Sequence, residues 1–96
     1  MRVVGRSELE EFKGRHADAN GHVDAWLAEV QDATWETPHD LKRRYPSASI
    51  LGDRVVIFNI RNNRYRLAVR ISYQAGIVRV LKIGTHQEYD SWSFES

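Results

Sequence analysis

Arginine stands at positions 64, 66 and 70 of this chain, in a segment whose apolar and polar residues alternate. Alternate residues of a β-strand lie about 7 Å apart on one face, similar to the step between successive phosphates of an extended single strand. Guanidinium forks bind phosphate oxygens two at a time and stay charged at any working pH. Arg64, Arg66 and Arg70 on one strand face therefore suit a nucleic-acid backbone, with Arg61 and Lys82 as further cations nearby. The competing reading is a solvated strand face whose arginine stems cover apolar surface.

A second constellation follows in Gly84-Thr85-His86-Gln87-Glu88-Tyr89-Asp90. Histidine is the side chain best suited to exchanging a proton near neutral pH, and tyrosine adds another dissociable group. If the segment turns helically, His86 and Tyr89 share a face. A histidine beside an arginine-lined groove is how a ribonuclease without metal could be arranged. The 2′-hydroxyl attacks the adjacent phosphorus, a base takes its proton, an acid protonates the leaving 5′-oxygen, and arginines stabilise the extra charge. Other candidates are weaker. His16, His22 and His39 lack a second ligand at metal spacing, so no metal site and no cofactor are expected. No glycine-rich phosphate loop or nucleophile elbow is present. Trp26 and Trp35 read as core residues, whereas Trp92 and Phe94 either dock on the sheet or await a partner.

The charge distribution favours the same reading. The whole chain carries a net charge of only +1, yet Arg54 to Gln87 is 34 residues without one Asp or Glu. Residues 1–53 hold seven basic and ten acidic side chains; residues 54–96 hold seven and three. Such sorting gives the molecule a field that attracts a polyanion.

The elements that must position these groups can be read from periodicity. Met1–Val4 is a short apolar run ending at Gly5, a strand. Ser7-Glu8-Leu9-Glu10 has the form of a capping box, and Leu9, Phe12 and His16 give the helix behind it one stripe. Ala19-Asn20-Gly21 breaks that helix. Val23, Trp26, Leu27 and Val30 then recur at helical spacing over 22–33. Thr37-Pro38 starts a third, short helix, which Tyr45-Pro46 stops. From Val55 the period becomes two. Asn62-Asn63 suits a two-residue hairpin turn. Tyr65, Leu67, Val69, Ile71 and Tyr73 then point one way, and Arg64, Arg66, Ala68, Arg70 and Ser72 the other. In a regular strand over 77–83, Arg79 and Lys82 have opposite parity, so only one of them should face the groove. The expected fold class is α+β: an N-terminal strand with two to three helices on one face of a small, mostly antiparallel sheet. The other face should stay open and carry the arginines.

Length and composition agree with one domain over 1–96. There is no cysteine, which excludes disulfides and thiolate metal sites. The N-terminus lacks the apolar run of a signal peptide, and no stretch approaches the roughly 20 apolar residues of a membrane span. The expectation is a soluble, cytoplasmic protein that does not engage membranes.

Taken together, Pro46-Ser47-Ala48-Ser49-Ile50-Leu51, Phe58-Asn59-Ile60, Asn63-Arg64-Tyr65-Arg66-Leu67 and Gly84–Asp90 resemble the HigB toxins of the RelE superfamily. Met1–Val4 and the Trp26/Trp35 spacing fit as well, so the resemblance spans nearly the whole chain. It implies a RelE-like fold and the toxic half of a bacterial type II toxin–antitoxin pair, an mRNA interferase. Such a protein is a metal-independent endoribonuclease that cuts mRNA within the ribosomal A site, and a HigA-type helix-turn-helix antitoxin neutralises it. DNA is then reached only through that antitoxin. Tyr65-Arg66-Leu67 is similar to the superfamily strand whose arginine contacts the scissile phosphate, which implies Arg66 as the transition-state clamp. Gly84, His86 and Tyr89 are similar to the C-terminal glycine, basic residue and tyrosine, which implies His86 and Tyr89 as proton-transfer groups. Arg61, Arg64, Arg70 and Lys82 are then RNA contacts. A helical antitoxin is expected on the Trp26/Val30 side or at the tail around Trp92. The alternatives are an RNA- or ribosome-binding module that cuts nothing and a groove for an acidic peptide.

Overall fold

Strand β4 (Tyr65–Ser72) lies at the centre of the sheet, and its alternation decides the architecture. Tyr65, Leu67, Val69 and Ile71 are buried on one face; Arg66 and Arg70 stay partly exposed on the other. Apolar side chains at period two can be hidden only if another layer covers that face, and the helices supply it. The computed structural model describes residues 1–94. The chain runs through β1 (Arg2–Val4), α1 (Arg6–Arg15), a 3₁₀ turn (Ala17–Ala19), α2 (Asn20–Asp32), α3 (Pro38–Arg44), β2 (Ser49–Ile50), β3 (Val55–Ile60), β4, β5 (Ile77–Thr85) and α4 (His86–Tyr89). The five strands have the order β1-β5-β4-β3-β2, with β1 parallel to β5 and every other pair antiparallel. This is the expected α+β architecture, enlarged by the short edge strand β2 and by α4.

The core lies between the helices and the inner sheet face. Leu9 and Phe12 of α1, and Val23, Trp26 and Val30 of α2, pack against Val56, Phe58, Leu67, Val69, Ile71 and Val78. Phe58 sits among three aromatic rings, with centroids 5.5 Å from Trp26, 5.1 Å from Tyr45 and 6.5 Å from Trp35. Removing a buried ring of this kind costs about 3–5 kcal/mol. Trp26 and Val30 are thus core residues, 2% and 0% exposed. A partner on that side of the molecule would meet other side chains than these two.

The ends of the elements differ from expectation in three places, the first being that α1 already ends at Arg15 and Asn20-Gly21 open α2 instead of breaking a helix. Ser7 and Glu10 form no capping box, because α1 starts two residues earlier, at Arg6. Gly5 caps it with φ +82° and no side-chain hydrogen bond. A Cβ at Gly5 would stand 2.9 Å from the Val80 carbonyl oxygen, so close helix–strand approach selects glycine there. The β3–β4 hairpin closes through Arg61–Arg64 rather than through Asn62-Asn63 alone. Its positive φ values fall on Arg61 (53°) and Asn62 (59°). α3 starts as expected: Pro38 is its first residue and the Thr37 hydroxyl accepts from the Asp40 amide at 3.2 Å.

Two features of the outer face were not expected. β5 carries a bulge. Ala68 pairs with Lys82 and Val69 with Val80, so Leu81 is an extra residue. The extra residue resets the side-chain parity. Arg79 (opposite Arg70) and Lys82 (opposite Ala68) therefore both project from the outer face, contrary to the regular-strand expectation. Nor is that face fully open. Leu81, Tyr89, Trp92 and Phe94 pack over Val55, Ile57 and Ala68, which are at most 2% exposed.

Candidate active site

The last residues of β5 and the turn after it carry the site. Thr85 is the N-cap of α4: its hydroxyl accepts from the Glu88 amide at 3.1 Å, and its own amide donates to Glu88 Oε1 at 2.8 Å. The capping box that the sequence suggested at Ser7 is built here. The backbone bond from Thr85, reinforced by the Thr85 hydroxyl and by the charges of Arg15 and His16, holds the Glu88 carboxyl below its usual range. The cap also fixes His86 and Tyr89 three residues apart on one turn, ring centroids 6.5 Å apart. Tyr89 lies against Trp92 at 5.6 Å, which anchors it on the outer face.

Arg66 meets this turn from the neighbouring strand. It pairs with Gly84 across β4 and β5. Its guanidinium carbon lies 5.6 Å from the centroid of the Tyr89 ring, a cation–π contact. Backbone carbonyls hold one nitrogen in place: Nη1 donates to Asn63 at 2.8 Å and to Tyr65 at 3.4 Å. Among the described residues no carboxylate lies within 4 Å of Arg66, although Arg64 and Arg70 each have one. A positioned guanidinium without an anionic partner is ready to take one. Gly84 makes the arrangement possible, because a Cβ there would stand 2.9 Å from Glu88 Oε1 and 3.0 Å from Trp92.

The structure thus brings Arg66, His86 and Tyr89 to one end of the sheet and separates the other cations. Lys82 shares the outer face, its Nζ 5.9 Å from the Trp92 ring centroid. Arg64 lies outside the expected row of three. It precedes β4, and its Nε donates to the Tyr65 hydroxyl at 3.3 Å and stands 3.5 Å from Asp18. Arg61 donates to Asp18 at 2.5 Å, on the helical side. Asp18 also accepts from the Tyr65 hydroxyl at 2.7 Å. That bond, with the charges of Arg61 and Arg64, keeps its carboxyl below the usual range. Arg70, beyond Ala68, is held by Asp53 at 3.1 Å. Part of the basic segment is therefore neutralised by acids from outside it.

Two neighbours of the site escaped the sequence reading. His16 and Gln87 line a cavity of about 300 Å³ with Arg64, Tyr65, Thr85 and His86. The His16 ring stacks on Phe12 at 4.5 Å and lies 5.2 Å from Tyr65. Seventy residues separate His16 from His86, and no local spacing relates them. The Asp90 carboxylate stands 3.9 Å from His86 Nδ1, with both side chains largely exposed. Among the described residues no cluster of His, Asp or Glu is arranged to hold a metal ion, and no helix is long and apolar enough to cross a membrane.

The α+β fold, with Arg66, Tyr89 and His86 brought together at one end of its sheet, is consistent with a RelE-like toxin. Comparison of the sequence agrees: the family model for HigB toxin, the RelE-like toxic component of a toxin–antitoxin system, matches residues 19–92. The chain belongs to the HigB toxin family. It is the toxic member of a toxin–antitoxin pair, and an antitoxin is its partner. Among curated proteins none matches the chain.

Proposed function

We propose that this toxin is an mRNA interferase, an endoribonuclease that cleaves by attack of a ribose 2′-hydroxyl on the adjacent phosphate. The observation that carries the reading is Arg66, fixed by two backbone carbonyls and by Tyr89 yet without a carboxylate partner among the described residues. A phosphate on its free edge gains negative charge in the pentacoordinate transition state, where a preorganised guanidinium acts most strongly. His86 and Tyr89 are the groups that move the two protons, one from the 2′-hydroxyl and one to the departing 5′-oxygen. The products are a 2′,3′-cyclic phosphate and a 5′-hydroxyl. The reaction needs no cofactor, since nucleophile and leaving group both belong to the RNA. Lys82 and Arg64 are RNA contacts flanking the scissile phosphate, and Arg70 is a contact farther along. Arg61, spent on Asp18, is the weakest of them.

The cavity beside His86 is about 300 Å³. It has residues for chemistry but little wall to grip a long substrate, which supports a substrate held by the ribosome with the toxin in the A site. The antitoxin is proposed to be of the HigA helix-turn-helix type, through which the pair reaches DNA, and the setting is the cytoplasm. The test is to map mRNA 5′ ends after induced expression in growing bacteria. Wild type should arrest growth and create new 5′ ends, and His86→Ala should create few. Slowed growth without new ends would instead show a non-catalytic RNA- or ribosome-binding module.

A further inference from the structure

At the far end of the outer face, Arg70 and Arg79 are direct cross-strand partners. Like charges placed opposite each other on a sheet destabilise it. Asp53 compensates part of the repulsion: its side chain accepts from Arg70 Nη2 at 3.1 Å and its carbonyl from Nε at 3.3 Å. A third cation, Arg54, lines the same cavity of about 270 Å³ together with Arg70, Ser72, Ala75 and Arg79. Among the described residues neither Arg54 nor Arg79 has a carboxylate within 4 Å. The chain there is held in an unfavourable conformation. Asp53 and Arg54 both have left-handed φ, 58° and 62°, without being glycine. The Arg54 carbonyl accepts from the Ile71 amide at 3.0 Å, which fixes the turn against β4. Three arginines around one cavity, a like-charged cross-strand pair and a strained turn all oppose stability. Strained residues persist only where their surroundings over-determine them, and they cluster at active sites and ligand clamps.

We infer that Arg54, Arg70 and Arg79 form a second anion site that holds a distal phosphate of the RNA substrate; this rests on the cleavage reading above. Arg66 and Arg70 lie four residues apart on one strand face, about 13 Å. That is two alternate-residue steps, so the distal phosphate lies at least two nucleotides from the scissile one. Ala68 between them is covered by the C-terminal aromatic side chains. The RNA must therefore cross the half-exposed Trp92 and Phe94, rings on which its bases can stack. The Asp53 contacts engage Nε and Nη2 of Arg70 and, among the described residues, leave Nη1 without a hydrogen bond.

The experiment follows the arginine Nε–Hε signals of isotope-labelled toxin during titration with a 2′-O-methyl RNA octamer, which lacks the attacking hydroxyl. Signals of Arg54, Arg70 and Arg79 should shift together with that of Arg66. Arg79→Gln should weaken octamer binding severalfold and flatten its dependence on log salt by about 0.7, the value for one lost contact to single-stranded nucleic acid. Its melting temperature should stay level or rise, because a like-charge pair is relieved. Arg54→Gly should likewise weaken binding while relieving the left-handed backbone. If Arg66 shifts while Arg54 and Arg79 do not, the distal site is overturned and the cleavage reading stands. If none shifts, the distal site is overturned, and the cleavage reading is decided separately by the map of mRNA 5′ ends. If the purified antitoxin moves the Arg54 and Arg79 signals and RNA does not, the cavity is a protein interface and the inference is wrong.

Discussion

Arg66 lies over the face of Tyr89, 5.6 Å from the ring centroid, and so joins the centre of the sheet to the turn that closes the chain. The contact fixes the Arg66 guanidinium relative to His86, because His86 is held on the same turn as Tyr89. It also makes the site sensitive to anything that moves that turn.

Arg66→Ala should abolish toxicity with the fold intact. Loss of one preorganised transition-state donor costs about 3–4 kcal/mol, a factor of hundreds in rate. Growth after induction and circular dichroism of the purified variant check it together. A folded Arg66→Ala protein as toxic as wild type removes Arg66 from the site.

His86→Gln and Tyr89→Phe should each cut more slowly than they bind. Loss of a positioned acid or base costs about 10²- to 10⁴-fold in rate. Single-turnover cleavage of mRNA on programmed ribosomes separates the chemical step from binding. Wild-type rates in both variants would mean that the proton chemistry lies elsewhere and that the site acts by electrostatics alone.

Gly84→Ala should impair activity more than stability. The new methyl group meets Glu88 Oε1 at 2.9 Å and Trp92 at 3.0 Å, so the cap and the tail must shift, and Tyr89 with them. Misplacement by about 1 Å costs about 100-fold in rate. Thermal melting beside single-turnover rates tests the split. Equal effects on both would show Gly84 to be structural only.

Asp18 gives the stability a dependence on acid. Its carboxyl is held below the ordinary value by the Tyr65 hydroxyl and then by Arg61 and Arg64. A group depressed in the folded state stabilises fully above its unfolded pKa and loses that contribution as pH falls through the folded value. The melting temperature should therefore drop below about pH 4, and Asp18→Asn should be lower at neutral pH with a flatter acid limb. Identical acid limbs in wild type and variant would exclude the effect.

Much of the fold was legible in the residues themselves because its signals are local. The alternation from Tyr65 to Tyr73 chose the inner face of β4, the helical spacing of Val23, Trp26 and Val30 chose the buried stripe of α2, and Thr37-Pro38 marked the start of α3. Arg66 and the His86/Tyr89 turn were visible for the same reason, each lying within one element. What spacing could not show was which distant group would meet each cation. Asp18 draws off Arg61 and Arg64, and Asp53 takes Arg70, because chain folding places acids from outside the basic segment beside it.

The sequence by itself determined the class of the fold, the family and the residue types of the site, since periodicity and residue order are properties of neighbouring positions. Only the tertiary structure decided the face each cation occupies. One inserted residue at Leu81 turns Arg79 and Lys82 to the same side, because side-chain direction in a strand depends on a count that a bulge resets. The apolar ends of α4 and the tail fold over Ala68 because its neighbours Val55 and Ile57 need covering from water. That packing, and no motif, set Tyr89 beneath Arg66 and covered the stretch of the outer face between Arg66 and Arg70.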